Sequence, residues 1–388
     1  MIERRTLMKG VAAAGSAVLV AACSGDGDAG PADGGVPAPE APPKAVLTAE
    51  PAANATDVSV RTPVTVTVAE GTLAEVKVTN PDGEELPGGL NPEKTVWTSS
   101  EPLGYGKSYT YAAKADGSDG KPVELTGEFA TVKPGKEIRA TLNPSDDAEV
   151  GVGMPVSVKF DAAVKDRKAA QEALKIETST EVEGAWAWLS DRQCNWRPKE
   201  YWPENTEVNV SANLYGVHYG GGNYGKADVT TKFTIGRNQV VKVNTPDHVM
   251  KVYRGDSESA SYPCSNGKDA DPNLNTPNGT VIVMSKEPTA IFDNARYGYT
   301  NVKKKWACRI SNHGEFIHEN EENRGNIGKA NTSHGCVNLL EADAKAYFDS
   351  ALIGDPVEIT GATADMPTTS DVMDWLLDWE TWKSKSAV

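Results

Sequence analysis

Two segments of the chain share a pattern that constrains the fold more than any other feature. Each places a proline turn ahead of a stretch in which apolar and polar residues alternate, at nearly the same spacing. The turns are residues 48–51 and 141–144, and the alternating stretches are residues 63–68 and 155–160. Alternation with period two is typical of strands that bury one face. The repeat therefore predicts two Ig-like β-sandwich domains, residues 45–134 and 135–237.

A third group of strands follows the repeat. Its strand-like stretches are residues 239–243, 249–253, 281–284, 315–317 and 356–359. Residues 341–352 alone have the apolar spacing of a helix with one buried face. We therefore predict a third β domain over residues 238–361, which makes the chain mainly β. Residues 362–388 carry several tryptophans, whose spacing predicts a short amphipathic helix that packs back on the sheet.

The first 23 residues have the pattern of an export signal. Basic residues precede an apolar run at 11–22 that is too short to span a bilayer. Residues 20–23 resemble a lipobox, in which Cys23 is acylated and becomes the mature N-terminus. Arg4 and Arg5 resemble a twin-arginine signal, although Sec signals also carry adjacent arginines. We expect a lipoprotein anchored to the membrane through Cys23, on the outer face of the bacterial cytoplasmic membrane.

Residues 24–44 are rich in Gly, Pro, Ala and Asp and have almost no large apolar side chain. Such a segment cannot bury enough surface to fold, so we predict a disordered tether with a reach of roughly 25 Å. The formal charge of the chain is −15. This charge argues against nucleic acid as an electrostatic partner.

Four cysteines follow Cys23, namely Cys194, Cys264, Cys308 and Cys336. Thiols outside the cytoplasm tend to pair. A disulfide between Cys264 and Cys308 is therefore one alternative, and the sequence does not decide it.

Residues 318–338 carry the groups best suited to proton and acyl transfer. His318, His334 and Cys336 lie close together in a stretch rich in Gly and Asn. A cysteine with a pKa near 8.5 is only about 3% thiolate at pH 7, so it needs a histidine or backbone dipoles to become a nucleophile. Gly335 lets the chain bend sharply, so that the N–H groups of Gly335 and Cys336 converge on a developing oxyanion.

The order of these residues is similar to that of a known family. His318, a long loop and the run S-H-G-C-V-N at residues 333–338 resemble the signature of the YkuD-type L,D-transpeptidases. Tandem Ig-like domains and a Trp-rich C-terminal segment resemble the actinobacterial lipoprotein members in particular. The resemblance implies a β-sandwich catalytic domain that acts on peptidoglycan stem peptides.

The resemblance also implies a mechanism. Cys336 attacks the bond between an L-centre and D-Ala in a donor tetrapeptide, releasing D-Ala and leaving a thioester, with His318 as the base. An amine of a second stem, usually of meso-diaminopimelate, resolves the thioester into a 3→3 cross-link. Carbapenems, whose strained lactam mimics the donor amide, are expected to acylate Cys336.

Further roles come from the same resemblance. His334 and Asn338 are expected to shape the catalytic pocket, and Ser333 to support the loop. Tyr299 matches the tyrosine that closes the oxyanion hole in related enzymes. Glu319 departs from the serine that often follows the catalytic histidine, and the change is harmless if only the backbone carbonyl at this position orients the imidazole.

Other functional hypotheses fit the same residues. With water as acceptor the enzyme is an L,D-carboxypeptidase, and with a protein lysine it is an anchoring enzyme. A non-catalytic wall-binding adaptor is an alternative of another class. A zinc site built from His313, His318, His334 and Cys336 lacks paired-cysteine spacing, so we expect no metal and no cofactor.

Overall fold

The computed structural model describes residues 43–294, 299–369 and 373–388, without the side chains of Asn294 and Tyr299. The predicted export signal and Cys23 lie outside these residues, as does most of the predicted tether. Strands dominate the described part of the chain, which confirms the mainly β fold. Within it, no helix has both the length and the apolarity needed to cross a membrane.

The first Ig-like unit consists of two sheets packed face to face. Its strands are β1 (Val46–Glu50), β2 (Thr65–Ala69), β3 (Gly71–Thr79), β4 (Gly88–Leu90), β5 (Val96–Ser99), β6 (Ser108–Gly117) and β7 (Pro122–Ala130). They form sheets in the orders β1-β2-β5-β4 and β3-β6-β7. Val66 and Val68 of β2 are buried while the residues that alternate with them are not, as the alternation predicts.

The second Ig-like unit repeats this architecture. Its elements are β8 (Lys136–Ile138), β9 (Ala140–Asn143), β10 (Glu149–Val150), β11 (Val156–Phe160), α1 (Arg167–Glu172), β12 (Leu174–Thr178), β13 (Gly184–Trp188), β14 (Gln193–Pro198), β15 (Glu207–Ala212), β16 (Asn223–Gly225) and β17 (Val229–Ile235). The sheets have the orders β10-β17-β15-β12 and β13-β14-β11-β9, with β16 and β8 as a separate pair. Pro51 and Pro144, which occupy equivalent places in the two repeats, both follow a cis peptide bond.

The third unit carries the histidine and cysteine motifs. Its elements are β18 (Gln239–Asn244), β19 (Val249–Arg254), β20 (Ser257–Pro263), β21 (Gly279–Ile282), β22 (Ser285–Asn294), β23 (Tyr299–Arg309), β24 (Phe316–Glu319), β25 (Val337–Leu339), α2 (Glu341–Ser350) and β26 (Pro356–Thr360). The sheets have the orders β20-β19-β18-β26-β21 and β22-β23-β24-β25. Because β24 and β25 are parallel, with His318 opposite Asn338, the two halves of the motif lie side by side.

The core of this unit lies between its sheets and α2. Ala344 and Tyr347 of α2 are fully buried in it, as the spacing of the predicted helix requires. Cys264 and Cys308 are buried in the same core as free thiols. The disulfide that the sequence left open between them is therefore not formed.

The second Ig-like unit and the third unit are in direct backbone contact. The backbone N–H groups of Gly151 and Gly153 donate to the carbonyls of Ile353 and Gly354, at 2.8 and 2.9 Å. A side chain at position 151 would place its Cβ 2.2 Å from a backbone nitrogen of the third unit, so only glycine permits this approach. The two units therefore share a backbone-bonded interface.

The Trp-rich C-terminal segment differs from its prediction. Its helix is limited to α3 (Trp379–Lys383), and residues 370–372 lie outside the described part. The segment packs on the second Ig-like unit, where the Trp382 indole donates to the Ala185 carbonyl at 2.9 Å. The apolar spacing indicated a buried face correctly. Leu376 packs on the core of the third unit, as expected, whereas the three tryptophans are covered by the second Ig-like unit.

Candidate active site

A cleft of about 390 Å³ opens on the sheet that contains β24 and β25. It is lined by Phe292, Val302, Lys304, His318, Asn320, Glu322, Asn323, Thr332, Ser333, His334, Cys336 and Asn338. Five residues singled out from the sequence are among them, so the fold gathers the motif around one cavity.

Cys336 lies immediately before β25, beside Phe316 of β24. Its thiol donates a hydrogen bond to the Gly314 carbonyl, with 3.6 Å between sulfur and oxygen. The side chain is partly exposed to the cleft and packs against a small apolar cluster of Ala290, Ala307 and Phe316. The sulfur is thus accessible from the cleft while protein surrounds most of it.

The turn before the cysteine is held by two hydroxyls. Ser333 Oγ donates to the Cys336 carbonyl at 2.6 Å and accepts the Gly335 N–H at 3.2 Å. Thr276 Oγ1 donates to the Gly335 carbonyl at 2.8 Å. The C=O and N–H of a trans peptide point in opposite directions, so the Cys336 N–H of this peptide points away from Thr276. Gly335 has φ +122°, which favours glycine.

These bonds correct one expectation about the oxyanion hole. The Gly335 N–H is engaged by Ser333 Oγ, so it does not converge with the Cys336 N–H on a common point in this structure. The support predicted for Ser333 takes this specific form: its hydroxyl bridges two backbone groups of the turn.

His318 is held by the backbone of its own strand. Its Nδ1 lies 2.6 Å from the Glu319 carbonyl oxygen, an acceptor that requires a proton on Nδ1 and leaves Nε2 as the basic nitrogen. The Phe292 ring packs on the imidazole, with 5.1 Å between ring centroids. Glu319 thus contributes its carbonyl, while its carboxylate accepts the backbone N–H groups of Lys305 and Glu321.

Burial sets the protonation states of the resting site. It raises the pKa of the Cys336 thiol to about 12, against a smaller opposing effect of the Phe316 N–H. It lowers the pKa of His318 to about 4, and the hydrogen bond to Glu319 opposes this only in part. Both groups are therefore neutral near pH 7, and the structure has no hydrogen bond between them.

The remaining predicted residues occupy different places. His334 is exposed at the rim, and partial burial and Lys268 lower its pKa. Asn338 is buried, and its Oδ1 has no hydrogen-bond partner among the described residues. Tyr299 begins β23, but its side chain lies outside the described part of the chain, so its predicted role stays a prediction.

Two residues that hold or line the site were not nominated from the sequence. Thr276 is fully buried 59 positions before its partner Gly335, a distance at which no local pattern signals contact. Lys304 belongs to a run of three lysines that indicates a solvated surface, yet it lines the cleft. Side chains alternate along β23, so Lys304 faces the opposite side of the strand from Lys303 and Lys305. This alternation is the sequence signal that could have separated Lys304 from its neighbours.

The residues of the alternative zinc site do not assemble. Within residues 43–294, 299–369 and 373–388, no group of three or more His, Cys, Asp or Glu side chains is placed to hold a metal ion. His313 is exposed and does not line the cleft.

Known families match the Ig-like region and the third unit of the chain. Residues 55–218 match a bacterial Ig domain, and residues 238–359 match the YkuD family, described as the L,D-transpeptidase catalytic domain. The first match spans both Ig-like units.

Individual proteins extend the similarity over nearly the whole chain. The chain is 41% identical over 353 residues to L,D-transpeptidase 5 of Mycobacterium tuberculosis strain ATCC 25618 / H37Rv, covering 89% of this chain and 78% of the relative. It is 36% identical to L,D-transpeptidase 2 of strain CDC 1551 / Oshkosh, covering 88% and 85%. A solved structure of the L,D-transpeptidase LdtMt1 in complex with imipenem is 31% identical, with a TM-score of 0.50, over 58% of this chain and 100% of that one. The chain therefore belongs to the L,D-transpeptidase family, the enzymes that cross-link peptidoglycan.

Proposed function

We propose that Cys336 is the acyl-accepting nucleophile of this transpeptidase and that His318 is its base. The observation that supports this most directly is the pairing of β24 with β25, which places the two side chains in one cleft. His318 Nε2 is the ring nitrogen left unprotonated by the bond to Glu319. Cys336 lies two positions before Asn338, the residue opposite His318, so the two side chains project from the same face of the sheet.

Because the thiol and the imidazole are both neutral at rest, the proton moves as the sulfur attacks. The Cys336 sulfur bonds to the carbonyl carbon of the donor, and its proton passes to His318 Nε2. The bond to D-Ala breaks, and the proton goes to the departing amine. The thioester that remains is resolved by an amine of a second stem peptide, which gives the 3→3 cross-link.

Two groups are suited to hold the donor carbonyl and its neighbours. The Cys336 N–H is directed away from Thr276 and serves as the donor to the oxyanion. Asn338 Oδ1, buried without a partner among the described residues, accepts an N–H of the peptide. A bound stem peptide would therefore satisfy a polar atom that the described residues leave unpaired.

The export signal and lipid anchor belong to the same proposal. Residues 1–23 direct the chain out of the cytoplasm, and acylation of Cys23 holds it at the outer face of the membrane, where peptidoglycan is built. The support is the lipobox pattern and the basic start in the sequence.

The test is acylation by imipenem, followed by mass spectrometry of the intact protein. The unaltered chain should gain the mass of one imipenem on the peptide that contains Cys336, and Cys336→Ala should gain none. His318→Gln should slow acylation by roughly 10²–10⁴-fold. His218→Gln, a change at an exposed histidine of the second Ig-like unit, is the matched control and should not slow it.

The same variants should be compared for release of D-Ala from a tetrapeptide stem. An adduct on any other cysteine, or full acylation rates in His318→Gln, would remove the basis of the assignment. Circular dichroism of each variant separates loss of chemistry from loss of folding.

A further inference from the structure

A second cavity of about 360 Å³ lies where the second Ig-like unit, the third unit and the C-terminal segment meet. Pockets of this size commonly hold small molecules. None of the residues that line it belongs to the catalytic cleft. The mechanism proposed for Cys336 and His318 therefore leaves this cavity without a role.

One wall of the cavity is a polar face of the second Ig-like unit. Ser157 of β11 lies opposite Asn195 of β14, and Gln193 lies on the same face two residues before Asn195. Gln193 Nε2 donates to Asn195 Oδ1 at 3.1 Å and to Ser157 Oγ at 3.3 Å. Ser157 and Asn195 are both buried. This wall therefore presents an ordered set of hydrogen-bonding groups that bulk water does not cover.

Asp374 of the C-terminal segment meets this polar wall. Asn195 Nδ2 donates to its carboxylate at 2.7 Å, and the backbone of Asp374 supplies a further hydrogen bond. Arg197 attracts the carboxylate, but its guanidinium donates to three backbone carbonyls and forms no ion pair with Asp374 among the described residues. An ionised carboxylate can accept about four hydrogen bonds. Asp374 thus keeps acceptor capacity for a ligand in the cavity.

The charge of Asp374 is not compensated by a neighbouring cation. Burial raises its pKa to about 6, so the carboxyl is largely ionised at pH 7.5 although only 6% of the residue is exposed. Buried carboxylates are rarely found without a partner of opposite charge. Lys159 is the other charged residue that lines the cavity, and its side chain is exposed to solvent. A cation that enters the cavity would supply the missing partner.

The other walls of the cavity are largely apolar. Met154 of the second Ig-like unit, Met284 of the third unit and Trp375 of the C-terminal segment line them. The Trp375 indole N–H donates to the Gly153 carbonyl at 2.7 Å, which fixes the ring and leaves it no donor for a ligand. These walls suit an uncharged apolar group, because a second charge would lose its water without gaining a partner.

We propose that this cavity binds a primary ammonium attached to an apolar body. The ammonium pairs with Asp374, and its remaining N–H groups donate to the Ser157 hydroxyl and the Gln193 side-chain carbonyl, which line the same cavity. The apolar body packs on Trp375 and the two methionines. The binding is non-covalent and does not depend on the catalytic pair, so the site remains if the assignment of that pair fails.

The test compares hexylamine with hexan-1-ol, which share an apolar chain and differ in charge. Ligand-observed NMR titrations of the full chain provide the two Kd values. At pH 7.5 hexylamine should bind roughly tenfold or more tightly than the alcohol. At pH 5 its affinity should fall about tenfold, because Asp374 is then mostly protonated while the amine, Lys159 and Arg197 keep their charges.

Two variants locate the binding. Asp374→Asn keeps the shape of the side chain and removes its charge, so the preference for hexylamine over hexan-1-ol should disappear. Asparagine has no charge to bury, so circular dichroism should show a folded variant. Asp191→Asn makes the same change at an exposed position between β13 and β14, outside the cavity, and should keep both Kd values within about twofold.

Three results would overturn the proposal. The first is equal affinity of the unaltered chain for the two probes, or no binding of hexylamine at all. The second is an unchanged preference for hexylamine in Asp374→Asn. The third is an affinity for hexylamine at pH 5 that equals or exceeds the affinity at pH 7.5.

Discussion

The Cys336 sulfur lies in a setting that opposes its ionisation. Removal of the thiolate from water is the largest contribution, and it places the pKa of Cys336 near 12. At pH 7 the thiolate then amounts to about one part in 10⁵. We therefore expect Cys336 to resist simple alkylating agents near neutral pH. In the proposed mechanism it reacts only with a substrate that brings its carbonyl to His318 and the Cys336 N–H.

This setting predicts the pH dependence of alkylation by iodoacetamide. Because the thiolate is the reactive form, the rate at Cys336 should rise about tenfold for each pH unit from 7 to 10, without a plateau. An ordinary cysteine would level off above pH 9. Quenched samples analysed by mass spectrometry of the peptide containing Cys336 provide the rates, and Cys336→Ser provides the background from Cys194, Cys264 and Cys308. A plateau near neutral pH would show that the resting thiol is already ionised.

The residues of the site differ in how far the sequence could predict them. Cys336, His318 and Ser333 lie in one local motif, whose order of chemical types identifies them without a structure. Thr276 holds the turn before Cys336 through a contact between distant loops, and Lys304 reaches the cleft through the register of β23. Neither feature can be read from a local motif. The Glu319 carbonyl shows a third case, because the backbone performs the role whatever side chain the position carries.

At the scale of elements, the C-terminal segment is the part whose environment was least predictable. The spacing of its tryptophans indicates a buried face, but spacing does not specify the covering surface. The surface that covers the tryptophans carries a positive charge. The Arg197 guanidinium lies 4.5, 5.2 and 5.0 Å from the ring centroids of Trp375, Trp379 and Trp382. Such cation–π contacts stabilise most when the cation is removed from water, as the buried Arg197 is.

Asp374 lies in the same segment, and its buried carboxylate lowers the stability of the fold at neutral pH. Its carboxylate accepts a hydrogen bond from Asn195 at 2.7 Å, yet burial raises its pKa to about 6 despite this bond and the nearby Arg197. A folded-state pKa above the unfolded value means that the fold favours the protonated form. The resulting stabilisation is full below about pH 4 and is lost as the pH rises through 6.

Asp374→Asn should therefore stabilise the protein at pH 7.5 and much less at pH 4.5. Asparagine keeps an oxygen that can accept from Asn195 and has no charge to bury. A shift of about two pKa units corresponds to an upper bound near 3 kcal/mol in the free energy of unfolding at pH 7.5. Urea denaturation at the two pH values measures the difference.

A second aspartate in the segment supplies a control of opposite sign. Asp378 caps α3 by accepting from the Thr381 N–H and hydroxyl, and these bonds lower its pKa. Asp378→Asn should not stabilise the protein at pH 7.5. Equal stability of Asp374→Asn and the unaltered chain at pH 7.5 would show that the Asp374 carboxylate does not destabilise the fold.

At the scale of the whole molecule, the second Ig-like unit, the catalytic unit and the C-terminal segment pack as one body. Arg237 makes a bidentate pair with Asp355, at 2.7 and 2.6 Å, and Asp355 is fully buried. Tyr201 donates to Glu358 at 3.0 Å, and the Trp375 indole donates to the Gly153 carbonyl at 2.7 Å. This packing argues against an independent catalytic domain that merely sits on a spacer.

A pair of fragments tests this view. Residues 238–388 lack Arg237 and the surface of the second Ig-like unit that packs on Asp355, so Asp355 would lose the bidentate ion pair that compensates its charge. The same fragment would expose the tryptophans that pack on the second Ig-like unit, and we expect it to aggregate or unfold below 37 °C. Residues 135–388 retain both features and should unfold in one cooperative transition, with imipenem acylation at the rate of the full chain. Differential scanning calorimetry and acylation rates measure both outcomes. A folded 238–388 fragment that reacts normally would mean that the catalytic unit is autonomous and that the interface only orients it.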